Sequence, residues 1–472
     1  MLFERFEEKA LAHYSYAVGC PGAGKLAIVD PRRDVDVYLD FAATQGLTIS
    51  HVLETHIHAD YASGARELAE RTGAELWLSA YDQGETFEVS FPHRAARDGD
   101  SLEIGAVRIQ AVHTPGHTPE HVSFLVYDQI RSREVPMLML TGDFLFVGSL
   151  GRPDLLGEEE KRGLASRLYD SVHDKLASLP DGLEIHPAHG SGSLCGAGMS
   201  GRPTSTLGYE RAANPYLDPE LSREAFVAQI LGSVPPFPDY YRRMKRLNSE
   251  GAPSLAGRPP LPARSGAEAR HLQESGYQII DIRSPGAFAA GHIPGSLAVA
   301  AGPSFLVWAP WVVSYEAPVL LVAPDPDTAR LAARELSRVG IDDVRGYLPG
   351  GTAAWAAAGQ ALESLPQLTP EELLAKMEQG EKLRVVDVRS PAEWSQGHIA
   401  GALPLPLPEL TARPRELLGE RGEPLALICG SGYRSTLAAS LLERSGFRHI
   451  HNVTGGMTAW RGARLPLAGP AR

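Results

Sequence analysis

The chain is short of cysteine, of long apolar runs and of positive charge. Its 472 residues include three cysteines, Cys20, Cys195 and Cys429. Three thiols build no disulfide framework, and the expectation is a reducing, cytoplasmic compartment in which each thiol is free. No uninterrupted apolar run reaches the roughly 18 residues of a membrane-spanning helix. The best candidate, Ala298 to Val313, is broken by Gly302, Pro303 and Pro310. The opening MLFERFEEKA mixes acids with bases and has no signal-peptide core. A formal net charge of -12 repels phosphate backbones and anionic lipid, so neither nucleic acid nor a membrane is an expected partner. The 43% hydrophobic and 22% charged content is otherwise that of a soluble globular chain. At about 150 residues per domain, the length suggests about three domains.

What the chain does have is a repeat. IIDIRSPGAFAAGHIPGS, from Ile279, returns as VVDVRSPAEWSQGHIAGA, from Val385. The same offset of 106 aligns Val319 to Gly340 with Leu425 to Gly446 without a gap, and PGGTAAW matches TGGMTAW near the ends. Two tandem modules follow, 258–362 and 366–472. In each, short β-branched runs (Arg384 to Val388, Leu425 to Ile428) alternate with helical stretches (Leu437 to Glu443), the pattern of an α/β module with a parallel sheet. A Pro-, Gly- and Ser-rich linker from Gly251 closes a first domain, 1–250. There Val107 to Val112, Val122 to Tyr127 and Met137 to Leu140 read as strands, and Ala65 to Arg71 and Arg162 to Leu179 as helices.

The first domain carries a series of candidate metal ligands. THIHADY, Thr55 to Tyr61, follows an apolar run; two imidazoles two residues apart, with Asp60 two further on, can converge on one ion from a loop at a strand end. Imidazole suits Zn, Fe, Cu or Ni. His117 follows in HTPGHTPEH, Asp143 in TGD and His189 in HPAHG, each just past a strand-like run. His13, His51, His93, His113 and His121 lack this context and read as structural.

This series resembles the metallo-β-lactamase superfamily over roughly residues 10–210, which implies an αββα sandwich. The superfamily's usual HxHxDH ends here in Tyr61, a change that removes a ligand from a second metal site and favours one ion. GSLGRPDL, SRLYDSVHDKLASLP, HPAHGSGSLCG and TSTLGYERAANP look like the persulfide dioxygenase branch, a relative of glyoxalase II. That resemblance implies one Fe(II) per chain on His56, His117 and Asp143, although Zn or Mn also suits such ligands. It makes His58, Asp60 and His189 orienting residues around the ion and Arg152 an anchor for substrate charge. It implies a small thiol persulfide of glutathione or coenzyme A type and dioxygen as substrates, sulfite as product, and a possible homo-oligomer. Cys195, in HGSGSLCG, reads either as a buried small residue or as a regulatory thiol near the iron. Cys20 receives no function.

In the last module LALICGSGYRS places Cys429 after a buried-type strand, with Arg434 five residues on. The intervening loop can curl its amides around an anion at a helix start, which stabilises a thiolate and a persulfide on it; Arg434 adds a donor fork for an oxyanion. Together with DVRSPAEWSQGHIAGA and GGMTAW, this resembles the rhodanese family, with thiosulfate and sulfite as substrate or product. In the first module Ala323 stands in place of Cys429 and Thr328 in place of Arg434, while Pro324 and Pro326 remove amide donors. That module is expected to be catalytically inactive. The combined expectation is a multidomain α/β and α+β chain that joins a persulfide dioxygenase to a sulfurtransferase. A glyoxalase II-type thioester hydrolase and a non-enzymatic persulfide sensor are the alternatives.

Overall fold

A computed structural model describes residues 1–412 and 422–469. The expected last module, 366–472, therefore includes residues 413–421 and 470–472 that lie outside the described residues. The chain divides into two compact units. The first comprises Met1–Arg258 with Ser337–Gly340, and the second Pro259–Leu336 with Ile341–Arg472.

In the first unit two six-stranded sheets face each other. One runs in the order Leu2–Glu8, His13–Cys20, Lys25–Val29, Thr48–Leu53, Glu75–Ser79, Arg94–Ala96. The other runs Ser205–Thr206, Glu184–Pro187, Leu138–Gly142, Val122–Asp128, Val107–His113, Ser101–Ile104. The two-residue side-chain period decides what each strand buries. Tyr14, Tyr16 and Val18 meet Val107, Ile109 and Ala111 between the sheets. Ala17, on the opposite face of its strand, packs under the helices Asp36–Gln45 and Ala65–Thr72. The second sheet's outer face buries Leu125 and Ile185 against Lys161–Asp170 and Arg223–Ser233. This is the αββα layering that the resemblance implied. Two local expectations change. The α-helix from Lys161 ends at Asp170 and continues as a π-turn, Ser171–Lys175, which keeps Val172 and Leu176 on the core side. The unit also runs beyond residue 250, because the linker's first residues pack on it: the Leu255 amide donates to Glu67 Oε2 at 2.6 Å.

The second unit holds both repeats. Each has an all-parallel sheet, ordered Leu297–Ala298, Gln278–Asp281, Val319–Val322, Val344–Leu348 in the first and Gln367–Leu368, Ile450–Val453, Leu425–Ile428, Arg384–Asp387, Leu403–Pro404 in the second. Both modules keep the same frame. Arg283 and Arg389 each chelate the aspartate two residues before them, at 2.6 Å in both cases, and His292 and His398 stack on Phe288 and Trp394.

Candidate metal centre and thiol site

Strand ends from both sheets of the sandwich deliver the candidate metal ligands. The His56–Asp60 loop follows Thr48–Leu53, and residues from two other elements fix its course. Asp30, just after Lys25–Val29, sits at a φ of 52°, a conformation that costs a non-glycine residue energy and persists because its surroundings hold it. Its carboxylate accepts from the Thr55 amide at 2.7 Å, the Thr55 hydroxyl at 3.0 Å and His58 Nε2 at 3.2 Å. From the helix Tyr240–Glu250, Lys245 Nζ donates to Ile57 O at 3.0 Å, and Asn248 Nδ2 donates to His58 O and Tyr61 O, each at 2.8 Å.

His56 Nε2 and His117 Nε2 lie 3.8 and 3.4 Å from Asp143 Oδ2, and one donor atom from each residue falls within 4.8 Å of the others. All three side chains are buried, and neither Nε2 nor either Asp143 oxygen has a hydrogen-bond partner. Each such orphan costs about 1–3 kcal/mol unless something satisfies it, so the residues fit a cation. The remaining ring nitrogens set the tautomers. His117 Nδ1 lies 2.9 Å from Arg152 O, and a carbonyl only accepts, so Nε2 carries the lone pair. His56 Nδ1 lies 3.0 Å from Thr55 Oγ1, whose own proton goes to Asp30, giving the same tautomer. Burial, followed by the surrounding imidazoles, holds both histidines well below their usual range and therefore neutral. Burial raises the Asp143 carboxyl to about 6. Two neutral imidazoles and a carboxylate suit a divalent transition metal.

The other expected residues fall around this trio. His189 Nε2 is 3.3 Å from Asp60 Oδ2 and 3.6 Å from Asp143 Oδ1. His58 is pulled down by burial, but Asp30, with Glu54 and Asp60, outweighs that and raises it to about 9. The Tyr61 hydroxyl donates to Asp30 O at 3.2 Å. Cys195 is buried, with Sγ 3.8 Å from the Tyr241 hydroxyl; burial, then Asp60 and Asp143, pushes its thiol well up. Asp60, His189 and Cys195 form a second group whose donor atoms lie within 4.8 Å of one another.

One sequence reading needs correction. Arg152 is no free anchor for substrate. Its guanidinium donates to both Asp154 oxygens and to the carbonyls of Leu194, Pro235 and Pro236, which uses all five of its N–H groups. Two of the histidines read as structural lie close to the trio. His121 Nε2 accepts from the Asp143 amide at 3.0 Å, and His13 lies 4.2 Å, centroid to centroid, from Tyr61. Reading missed Asp30, Lys245 and Asn248 altogether; an acid closing a buried strand was the one available signal, for Asp30.

At the second site Cys429 directly follows the buried strand Leu425–Ile428. The Gly432 amide donates to its Sγ at 3.1 Å, and the Ser435 hydroxyl lies 3.4 Å away. The loop's carbonyls are drawn to the other side, where the Met457 and Thr458 amides donate to Cys429 O and Gly430 O at 2.8 and 2.9 Å. Gly456 allows that approach, since a Cβ there would lie 2.9 Å from Gly430 C. Arg434 donates to both carboxylate oxygens of Glu393, at 2.7 and 2.6 Å. In the cysteine-less module Asp325 occupies the corresponding loop, accepting from the Thr328 amide and hydroxyl at 2.8 and 2.7 Å. The two modules touch beside the thiol loop: the Tyr433 hydroxyl donates to Ala300 O at 2.9 Å, and Ser440 Oγ accepts from the Ala298 amide at 3.0 Å.

A metal trio at the strand ends of an αββα sandwich, followed by paired α/β modules of which one holds a looped thiol, defines a class that comparison confirms. The pattern of the metallo-beta-lactamase superfamily matches residues 9–189, and that of the rhodanese-like domain matches 266–358 and 369–463. The chain belongs to the metallo-β-lactamase superfamily, among homologues of persulfide dioxygenase, and carries two rhodanese-like domains behind that domain. The mitochondrial persulfide dioxygenase ETHE1 of Bos taurus is 30% identical over 233 residues, 48% of this chain and 79% of that protein. Hydroxyacylglutathione hydrolase GloC of Haemophilus influenzae is 28% identical over 209 residues, 41% of this chain and 87% of that one. A solved metallo-beta-lactamase from Staphylococcus aureus is 32% identical with a TM-score of 0.66, covering 74% of this chain and 99% of that one. Among the described residues no helix is long and apolar enough to cross a membrane.

Proposed function

We propose that the first domain oxidises a small thiol persulfide with dioxygen and that Cys429 transfers sulfur, in a reducing cytoplasm. Persulfide, dioxygen and water give thiol, sulfite and two protons. The observation that carries this reading is the trio His56, His117 and Asp143, with unpaired, tautomer-fixed donors turned to one point. One Fe(II) held by His56, His117 and Asp143 would bind the sulfur and dioxygen side by side and relay electrons between them, the four electrons that dioxygen takes coming from the persulfide's outer sulfur. Asp30 acting through Thr55, and Arg152 O, hold the two imidazoles in register, while burial keeps bulk water from the reacting sulfur. Glutathione and coenzyme A persulfides are the substrates to compare. At the thiol site, a persulfide on Cys429 gives its outer sulfur to sulfite: the enzyme's S–S bond breaks, an S–S bond to sulfite forms, and thiosulfate leaves with Cys429 as thiolate. The Gly432 amide and the Ser435 hydroxyl stabilise that thiolate.

The test is dioxygen uptake by Fe(II)-loaded protein given glutathione persulfide. Sustained uptake, abolished in His117→Ala and retained in Cys429→Ser, is the expected result. Uptake absent with every small persulfide at full iron occupancy sinks the dioxygenase. A second reading, thioester hydrolysis of the glyoxalase II kind, draws on the Asp60, His189 and Cys195 group, which could hold a second ion. Hydrolysis of a glutathione thioester by protein carrying two ions would favour it.

A further inference from the structure

The helix Tyr433–Arg444 starts at the thiol loop. Its residues Ser435 to Ser440 are all buried, whereas a helix lying on one sheet exposes a face. The extra cover is the cysteine-less module: the helix packs on that module's edge strand Leu297–Ala298 and on its helix Pro285–Ala290. One aligned pair shows the effect. Leu437 is fully buried, and Leu331, at the same place in the first module's helix, is 51% exposed. Three contacts tie the helix to its neighbour. The Tyr433 hydroxyl donates to Ala300 O at 2.9 Å, Ser440 Oγ accepts from the Ala298 amide at 3.0 Å, and Glu443 Oε2 lies 3.3 Å from His292 Nε2. Their helical spacing puts all three on one face.

Tyr433 stands where that grip meets the chemistry. Gly430, Ser431 and Gly432 separate it from Cys429, and glycine holds no backbone direction of its own. Gly432, at a φ of 102°, nonetheless aims its amide at Cys429 Sγ, at 3.1 Å. The loop is held at its two ends. At the first, the Met457 and Thr458 amides donate to Cys429 O and Gly430 O. At the second, Gly432 O accepts from the Thr436 amide and hydroxyl, so Gly432 moves with the start of the helix. Tyr433, on Ala300, ties that helix start to the neighbouring module. The acceptor is itself fixed, because the amides on either side of it, of Val299 and Ala301, donate to Asp281 O and Ile282 O at 3.0 and 2.9 Å. Asp281 is in turn the carboxylate that Arg283 chelates.

We infer that the cysteine-less module is a working part of the thiol site and that Tyr433 is the positioning residue between them, taking its bearing from Ala300 O and setting the Gly432 amide on the Cys429 sulfur. The inference rests on the sulfur-transfer reading above. In the loading step the Cys429 thiolate attacks the outer sulfur of a thiol persulfide. The donor's S–S bond breaks, a new S–S bond forms on Cys429, and the carrier thiol leaves with the donor's proton. The Gly432 amide stabilises the sulfur anion on Cys429 through the step. A loop freed from Ala300 keeps its cysteine and its access to donor but loses that aim, so the rate of the step falls and the hold on the donor does not.

The experiment measures loading of Cys429 in the full chain by intact-protein mass, over a range of glutathione persulfide concentrations. Anaerobic conditions silence the dioxygenase, and Cys429→Ser subtracts sulfur taken by the other thiols. Tyr433→Phe removes only the hydroxyl. It should lower the limiting rate about tenfold, equivalent to about 1.4 kcal/mol, and leave the half-saturating concentration within about twofold. Replacing Tyr433 by para-aminophenylalanine returns a donor to the same place and should restore the rate. Ser440→Ala loosens the same interface without touching the loop; it should lower the urea midpoint and keep the rate. An unchanged limiting rate in Tyr433→Phe, no rescue by para-aminophenylalanine, or an equal loss in Ser440→Ala overturns the inference. Loading absent from the native chain overturns it together with the sulfur-transfer reading. A native-chain measurement covers misfolding of the variants: the Gly432 amide should exchange with deuterium as slowly as those of Leu437 to Leu442, and fast exchange there would refute a loop held at both ends.

Discussion

Asp30→Asn is the sharpest test of how the metal centre is held. The substitution keeps the shape of a buried side chain that is 1% exposed but removes its charge and turns one acceptor into a donor. Three donors face that carboxylate: the Thr55 amide, the Thr55 hydroxyl and His58 Nε2. An amide satisfies at most two of them and opposes the third. Losing the charge from these hydrogen bonds costs on the order of 1.5–3 kcal/mol. Part of that falls on the metal, because the Thr55 hydroxyl no longer has a fixed acceptor and His56 loses the partner that aims its lone pair. Removing such an outer partner typically costs about 10- to 100-fold in metal affinity. Anaerobic titration of metal-free protein with Fe(II), and with Co(II) as an optical probe, reads the change directly. An affinity within about twofold of the parent, on a variant with native circular dichroism, would refute the Asp30–Thr55–His56 chain; the expected factor is at least about tenfold.

Three further predictions follow from other contacts. Gly142→Ala should lower thermal stability and metal retention together: φ is 53° there, and an added Cβ would sit 2.6 Å from Thr55 Oγ1 and from His121 Nε2. The cost is of order 1–3 kcal/mol, and unchanged melting and metal content would contradict it. Restoring a thiol in the first module, as Ala323→Cys in a Cys429→Ser background, should yield no sulfur transfer above that background, because Asp325 already fills the loop; turnover there would show that the missing cysteine was the sole defect. The Glu393–Arg434 pair should matter less in acid. Its hydrogen bonds to Arg434, against an opposing burial effect, depress Glu393 from 4.5 to about 2. A depressed acid contributes stability above its unfolded pKa that is lost as pH falls through the folded value. The stability difference between the native chain and Glu393→Gln, from urea unfolding, should therefore shrink below pH 4.5, and a constant difference down to pH 3 would argue against the ion pair.

Much of the architecture was legible because it is written in local patterns. The offset of 106 exposed the two modules, since each copy must bury the same strands. The ends of Leu425–Ile428 could be read to the residue, because a fully buried strand between turn residues has no other place to stop. The candidate metal ligands stand out as motifs: each follows a strand, and strand ends are where a sheet presents loops. Arg152 was misread for the opposite reason. Its motif places it beside the ligands, but whether its five donors are free depends on Asp154, Leu194, Pro235 and Pro236, up to 84 residues away.

The sequence by itself determined the domain order, the α/β character of the modules, the three metal-ligand candidates and which module carries the thiol, because these follow from periodicity, repeat alignment and residue chemistry. Only the tertiary structure decided which groups hold those residues. Asp30 reaches Thr55 across 25 positions, Asn248 reaches His58 across 190, and Glu393 reaches Arg434 across 41. A buried polar atom takes its partner from whatever the packing of distant elements brings within hydrogen-bond range, and no local pattern encodes that meeting.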